Sequence, residues 1–256
     1  MQDLRVALIQ TDIYWENVTA NLAMLEEKIA TLSPKDLIVL PEMFNTGFTA
    51  NTKLAETMNG HTHKWLKMMA KKTNSTIIGS LLISEKNEYF NRMFCVNPES
   101  EVLFYDKRYL FRMSEEANIL SKGTNNNVIF KIKGWRICPS ICYEIRFPES
   151  CRNTILPDHT INYDILINIA NWPNTRKEAW HTLLQARAIE NQSYVLGVNR
   201  RGNDGNLLQY DGNSCAINPE GNTLNTTDNL DKLLQINLSA TYLSEYRKMF
   251  PVHLDW

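Results

Sequence analysis

The segment Arg136-Ile-Cys-Pro-Ser-Ile-Cys-Tyr-Glu-Ile-Arg-Phe-Pro-Glu149 constrains this chain more than any other. An apolar run with the composition of a buried strand goes directly into a cysteine, and Pro148 then opens a helix. A strand that turns so sharply into a helix belongs to a layered α/β architecture. The turn sets Cys142 at the mouth of a sheet, where a thiolate can act as a nucleophile. No histidine stands near it in sequence, so the proton of that thiol has to go to another kind of group.

The rest of the chain has the same organisation. Residues 5–10, 36–40, 76–82, 128–132, 136–141, 164–169, 194–198, 214–217 and 233–238 read as strands. Residues 89–96 and 101–105 read as a strand pair around the turn Asn97-Pro-Glu-Ser100. Helices are expected over 17–32, 61–72, 148–156 and 177–191. Leu22, Leu25, Ile29 and Leu32 share one face of the first, Trp65, Met68 and Met69 turn inward on the second, and Trp180, Leu183, Leu184 and Ala188 on the last. Residues 114–127 form a polar loop, and the tail from Ala240 has no single period. Strands alternate with helices early and again after Cys142, which predicts sheet inside and helices outside in one domain over residues 1–256.

A net charge of −1 gives no electrostatic case for a nucleic acid or an anionic membrane as partner. The N-terminal residues run straight into a strand, and no apolar stretch is long enough to span a bilayer. Five cysteines and no secretory signal speak against a disulfide framework, so the cytoplasm is the expected compartment.

In α/β sheets ligands bind beyond the carboxyl ends of the strands. Three reactive side chains stand at such positions: Glu42 after Leu37-Ile-Val-Leu-Pro41, Lys107 after Val102-Leu-Phe-Tyr-Asp106, and Cys142. A carboxylate of raised pKa can take a thiol proton as general base. An ammonium in the same pocket favours the thiolate and can hold the oxyanion of a tetrahedral intermediate. The backbone N–H of Tyr143, just after the nucleophile, is the natural second donor. Such a trio carries out acyl transfer without histidine, metal or cofactor. Each member also has a plainer reading. A cysteine in an apolar strand is ordinarily a small core residue, as Cys138 is read here. Glu42 can cap a turn, and Asp106-Lys107-Arg108 can be solvated charge.

Taken together, the segments resemble the nitrilase (carbon–nitrogen hydrolase) superfamily. Leu40-Pro-Glu-Met43 is similar to its glutamate segment, Tyr105-Asp-Lys107 to its lysine segment, and Ile141-Cys-Tyr-Glu-Ile-Arg-Phe-Pro148 to its cysteine elbow. Asn171-Trp-Pro173 and Gln185-Ala-Arg-Ala-Ile-Glu-Asn191 also look like segments of the family. The resemblance implies a four-layer α-β-β-α sandwich, dimeric through its outer helices. It implies Glu42 as general base, Lys107 as oxyanion stabiliser and proton donor, and Cys142 as nucleophile. A further active-site glutamate is implied after the lysine; of the adjacent Glu115 and Glu116, spacing from Lys107 favours Glu116. The stretches Lys107-Arg-Tyr-Leu-Phe-Arg-Met113 and Arg247-Lys-Met-Phe-Pro251 look most like the bacterial ω-amidase branch. That branch hydrolyses the terminal amide of small α-keto acids such as 2-oxoglutaramate and 2-oxosuccinamate. A carboxylate-bearing substrate needs a cationic subsite, for which Arg112 is the candidate clamp. Arg146 reads instead as a structural arginine paired with a carboxylate, and Trp172 as a wall of the pocket or a core residue.

The alternatives are another branch of the superfamily (an N-carbamoyl hydrolase, an aliphatic amidase or a true nitrilase) and a catalytically idle binding protein on the same scaffold. A papain-like hydrolase needs a histidine partner, and His61, His63, His159, His181 and His253 have no matching context.

Overall fold

The computed structural model describes residues 1–126, 128–158, 160–224 and 233–256. His159, and Asn127 at the end of the expected polar loop, lie outside the described residues. The first half of the chain runs β1 (Leu4–Leu8), α1 (Val18–Ala30), β2 (Leu37–Val39), α2 (His61–Thr73), β3 (Thr76–Glu85), β4 (Glu88–Val96) and β5 (Val102–Asp106). The second runs α3 (Glu116–Ile119), β6 (Phe130–Ile132), β7 (Trp135–Ile141), α4 (Pro148–Cys151), β8 (Ile165–Ala170), α5 (Lys177–Glu190), β9 (Tyr194–Asn199), β10 (Arg201–Asn203), β11 (Gln209–Asp211), β12 (Cys215–Ile217), β13 (Leu234–Leu238) and α6 (Ala240–Met249).

Two sheets stack face to face. One has the order β13-β1-β2-β3-β4-β5, the other β12-β9-β8-β7-β6. Each has three parallel strands at its centre, β1–β2–β3 and β7–β8–β9, with antiparallel strands at the edges. The parallel strands are apolar on both faces because both faces are covered. Val6, Leu8, Ile78, Met93 and Tyr105 of the first sheet meet Ile137, Ile141, Ile167 and Leu196 of the second in one core. On the outer face of the first sheet, Leu22, Leu25 and Ile29 of α1 and Trp65, Leu66 and Met69 of α2 bury against Ile38, Ile77 and Phe94. Trp180, Leu184 and Ala188 of α5 cover the outer face of the second. The result is the four-layer α-β-β-α sandwich.

Local chemistry sets the element ends. Asn17 caps α1 by accepting from the Ala20 N–H, and Asn74 closes α2 in the left-handed region at φ 49°. Lys86 and Asn87, both at positive φ, make the tight turn that pairs β3 with β4. Gly79 is required in β3 because a Cβ there would lie 2.8 Å from the Phe44 ring, which packs beneath the Glu42 loop.

Each expected strand is present with ends moved by at most three residues. Other expectations need correction. Met68 is 48% exposed and not inward, since it falls outside the stripe set by Trp65, Leu66 and Met69. The helix expected over 148–156 stops at Cys151. Beyond it the Asn153 N–H donates to Asn191 Oδ1 and the Asn153 amide to the Tyr163 carbonyl, so tertiary partners replace helical ones. The loop over 114–127 contains the single turn α3, and the tail from Ala240 forms α6, capped by Ser239. The β10–β11 hairpin was not signalled by periodicity, because three-residue strands are too short to show one.

Candidate active site

Cys142 sits where β7 ends, at φ 49°, and opens a 3-10 turn over Cys142–Arg146. A non-glycine residue in this region costs about 1–2 kcal/mol. Surrounding bonds hold it there. The buried Glu144 carboxylate accepts from the Ile141 N–H at 2.7 Å, the Arg108 N–H at 2.7 Å, the Tyr109 N–H at 3.3 Å and the Tyr105 hydroxyl at 2.8 Å. It therefore folds the elbow back on its own strand and ties it to the segment after Lys107. Burial pushes the Glu144 carboxyl up, and the donors around it act in the opposite direction. Arg187 of α5 donates to the Ile145 carbonyl at 2.8 Å and locks the turn from the outside.

Glu42 leaves the end of β2 and is fully buried. The next residue, Met43, has φ 45°, and its N–H donates to Ser80 Oγ. Lys107 follows β5 and is 1% exposed; its Nζ donates to Glu42 Oε1 at 2.9 Å and to Glu116 Oε1 and Oε2 at 2.9 and 3.0 Å. Asn91 joins the two carboxylates, donating to Glu42 Oε1 at 2.8 Å and Glu116 Oε1 at 3.3 Å. Asn171, after β8, gives its backbone N–H to Glu42 Oε2 at 2.8 Å and its amide to the Glu42 carbonyl at 2.7 Å. The carbonyl of Asn171 faces the Cys142 thiol at 3.9 Å. Of the two adjacent glutamates, Glu116 is buried beside Lys107, while Glu115 is exposed and bonded to Asn118.

Two carboxylates and one ammonium are buried behind a cysteine. Burial works against the Lys107 ammonium, but Glu116 and Glu42 outweigh it and hold the lysine protonated above its ordinary value. Burial also pushes the Cys142 thiol well up, and the Glu42 carboxylate pushes it further; Lys107 opposes both without reversing them. The lysine thus favours the thiolate, as expected, while burial and Glu42 favour the thiol, whose proton must move for the sulfur to attack.

Cys142, Tyr143, Glu116 and Trp172 line a cavity of about 720 Å³, and Glu42 and Lys107 lie behind that wall. Arg112, expected as a substrate clamp, does not line it. The Phe111 N–H is held by Glu116 Oε2 and its carbonyl accepts from the Ser114 N–H, which turns Phe111 into the cavity and leaves Arg112 exposed on the outside of the turn. Arg146 does line the cavity. It was expected to pair with a carboxylate, but has none among the described residues and instead lies over the Trp172 ring, 4.8 Å from its centre. Sequence reasoning missed Arg176, Asn91, Asn171 and Glu144. Two of them left a signal: Asn171 falls in a segment that resembles the family, and Glu144 is an acid two residues beyond a strained nucleophile, where it can bend back to the preceding N–H. No histidine lines the cavity among the described residues.

The model of the carbon–nitrogen hydrolase family matches residues 5–248. The chain is 40% identical to the ω-amidase YafV of Escherichia coli K12 over 256 residues, all of this chain and 97% of that one. It is 31% identical to the 2-oxoglutaramate amidase of Bacillus subtilis, covering 98% of this chain and 96% of the relative. A crystal structure of a CN-hydrolase superfamily protein from Xanthomonas campestris superposes with a TM-score of 0.96 at 36% identity, covering 100% of this chain and 98% of that one.

Proposed function

The chain belongs to the carbon–nitrogen hydrolase family, and on that footing we propose that it is an ω-amidase, hydrolysing the terminal amide of small α-keto acid amides such as 2-oxoglutaramate and 2-oxosuccinamate to the keto acid and ammonia. The observation that carries the reading is the convergence of Glu42, Lys107 and Cys142 from three strand ends upon one cavity wall, in a chain with full-length similarity to ω-amidases.

In the proposed reaction, the Cys142 proton passes to Glu42 as the sulfur attacks the amide carbon. Lys107 Nζ and the Tyr143 N–H hold the resulting oxyanion. The C–N bond then breaks, the nitrogen takes the proton back, ammonia leaves and a thioester remains. Glu42 next takes a proton from water, whose oxygen attacks the thioester carbon. Cys142 is released as the thiol and the carboxylic acid departs. Glu116 holds Lys107 in place throughout, and Trp172 walls the substrate.

Ammonia release from 2-oxoglutaramate and 2-oxosuccinamate by purified protein tests this, beside N-carbamoyl and aliphatic amides. Turnover of the two keto acid amides, abolished by Cys142→Ala, is expected. Substantial residual turnover in that variant sinks the mechanism, and a preference for another amide class sinks the substrate. We further propose one domain over the whole chain, acting in the cytoplasm as a homodimer through its outer helices. Sedimentation velocity tests the dimer.

A further inference from the structure

Glu42 has to take a proton, yet its accepting positions are filled. An ionised carboxylate offers about four such positions, two on each oxygen. Oε1 accepts from Lys107 Nζ at 2.9 Å and from the Asn91 amide at 2.8 Å. Oε2 accepts from the Asn171 N–H at 2.8 Å and from the Asn171 amide at 3.3 Å. The thiol of Cys142, meanwhile, faces the Asn171 carbonyl at 3.9 Å. A proton can pass from Cys142 to Glu42 only when one of these donors gives up its place.

The four donors differ in how easily they yield. Lys107 is charged, and its three protons go to Glu42 Oε1, Glu116 Oε1 and Glu116 Oε2, so moving it disturbs the whole buried cluster. Asn91 makes a short bond and also reaches Glu116 Oε1 at 3.3 Å. The Asn171 N–H is part of the backbone just past β8, a strand paired along its length with β9. The bond from the Asn171 side chain is the long one and the one that can turn away. Its 3.3 Å lies outside the usual range of about 2.7–3.2 Å. The same amide holds the Glu42 carbonyl at 2.7 Å, so it can pivot there without losing its seat. Asn171 is 5% exposed, its amide bonds go to Glu42, and its Oδ1 has no partner among the described residues. A side chain that braced the scaffold would use that oxygen too; this one serves the base.

We propose that Asn171 is the positioning residue for the proton transfers of this site. Its amide occupies the place on Oε2 that receives the proton, and its carbonyl holds the thiol apart from the base at rest. When the amide turns off Oε2, the S–H bond of Cys142 breaks and its proton bonds to Oε2. The sulfur keeps the electron pair and bonds to the substrate carbonyl carbon, whose π pair moves onto oxygen. The Asn171 N–H keeps the carboxyl aimed throughout, and the same opening serves the water of the second half-reaction. The assignment rests on Glu42 acting as base in the proposed acyl transfer, and holds for any acyl substrate.

The probe is p-nitrophenyl acetate, an ester that acylates an activated thiol whatever amide the protein prefers. A burst of nitrophenolate, absent in Cys142→Ala, reports acylation of Cys142, and its rate is followed against pH. Asn171→Ala removes the amide and keeps both backbone contacts. Of the groups that face Glu42, Lys107, Glu116 and Cys142 carry or can take charge, and the variant leaves all three in place. Loss of a donor disfavours an ionised carboxylate, so the acid limb of the burst rate is expected to move up by about 0.5–1 pH unit. Asn171→Leu, which keeps the volume without the donor, is expected to show the same displacement. A residue that merely braces the fold would lower the rate and leave the limb where it is. A limb that moves by less than about 0.2 unit, or moves down, therefore overturns the assignment whatever happens to the rate. Failure of both variants to fold marks Asn171 as a scaffold residue and overturns it too, as does a wild type that gives no burst. If the ester gives a burst and a displaced limb while 2-oxoglutaramate is not turned over, the ω-amidase reading falls and the assignment stands.

Discussion

Lys107 and Glu42 meet at 2.9 Å with both side chains sealed from solvent, so the site is a buried ion pair as much as a nucleophile. Removing one partner of such a pair leaves an uncompensated charge, and here Glu116 remains to hold the lysine. Glu42→Gln should therefore fold. Its turnover should fall by about 10²–10⁴-fold because the proton acceptor is gone. Its Cys142 should be alkylated faster at pH 7 than the wild type's, because the Glu42 carboxylate pushes that thiol up. Parallel assays of ammonia release and iodoacetamide incorporation check this; slower alkylation in the variant would contradict the electrostatic account.

Alkaline pH should destabilise the fold. Burial pushes the thiols of Cys95 and Cys215 up to about 12 and that of Cys151 to about 11. In the unfolded chain these groups ionise near their ordinary value, so above it the native state binds more protons than the unfolded state and stability falls as pH rises. Each buried thiol contributes about 1.4 kcal/mol per pH unit until its folded value is reached. Urea midpoints should hold near pH 7–8 and drop steeply from pH 9 to 11; a flat profile would show these thiols titrating normally.

At the opposite end of the strands, Asp36 accepts from the Arg5 guanidinium at 2.9 and 3.0 Å and pairs with Lys133 of the β6–β7 turn, so it joins the two sheets. The hydrogen bond from Arg5 is the largest influence on its carboxyl; burial opposes it and Lys133 assists, holding the group well below the usual carboxylate range. The stabilisation is complete above the unfolded value and is lost as pH falls below it. Asp36→Asn should lower unfolding free energy by about 1–3 kcal/mol at pH 7, and the gap from the wild type should close toward pH 3. Equal gaps at both pH values would refute the pairing.

Glu144→Ala leaves the Ile141 and Arg108 N–H groups without their acceptor behind the elbow. The variant should lose about 2–4 kcal/mol of stability and drop kcat more than it raises KM, because the positive-φ geometry of Cys142 depends on that carboxylate. A KM effect alone would mean that the elbow holds itself.

Periodicity located nearly every strand and the inward faces of α1 and α5, because continuous apolar runs and helical stripes survive in the linear order. Glu42, Lys107, Cys142 and Glu116 could be named because each follows a strand end or a recognisable neighbour. Asn91 and Asn171 could not, since an asparagine becomes a partner of Glu42 only once β4 and β8 bring it there. That Arg146 and not Arg112 lines the cavity was hidden for a similar reason. Which arginine faces the cavity is decided by a turn closed through Phe111 and by a ring presented from the far side of the second sheet.

The bonds from Asn171 to Glu42 span 129 residues. A chain emerging from the ribosome carries Glu42 129 residues ahead of the segment that orients it, and its thiol 29 residues ahead. Hydrolytic competence therefore arrives late in synthesis and all at once, and a partly folded or truncated product keeps a cysteine without a poised partner. Ammonia release can serve as a readout of completed assembly of both sheets.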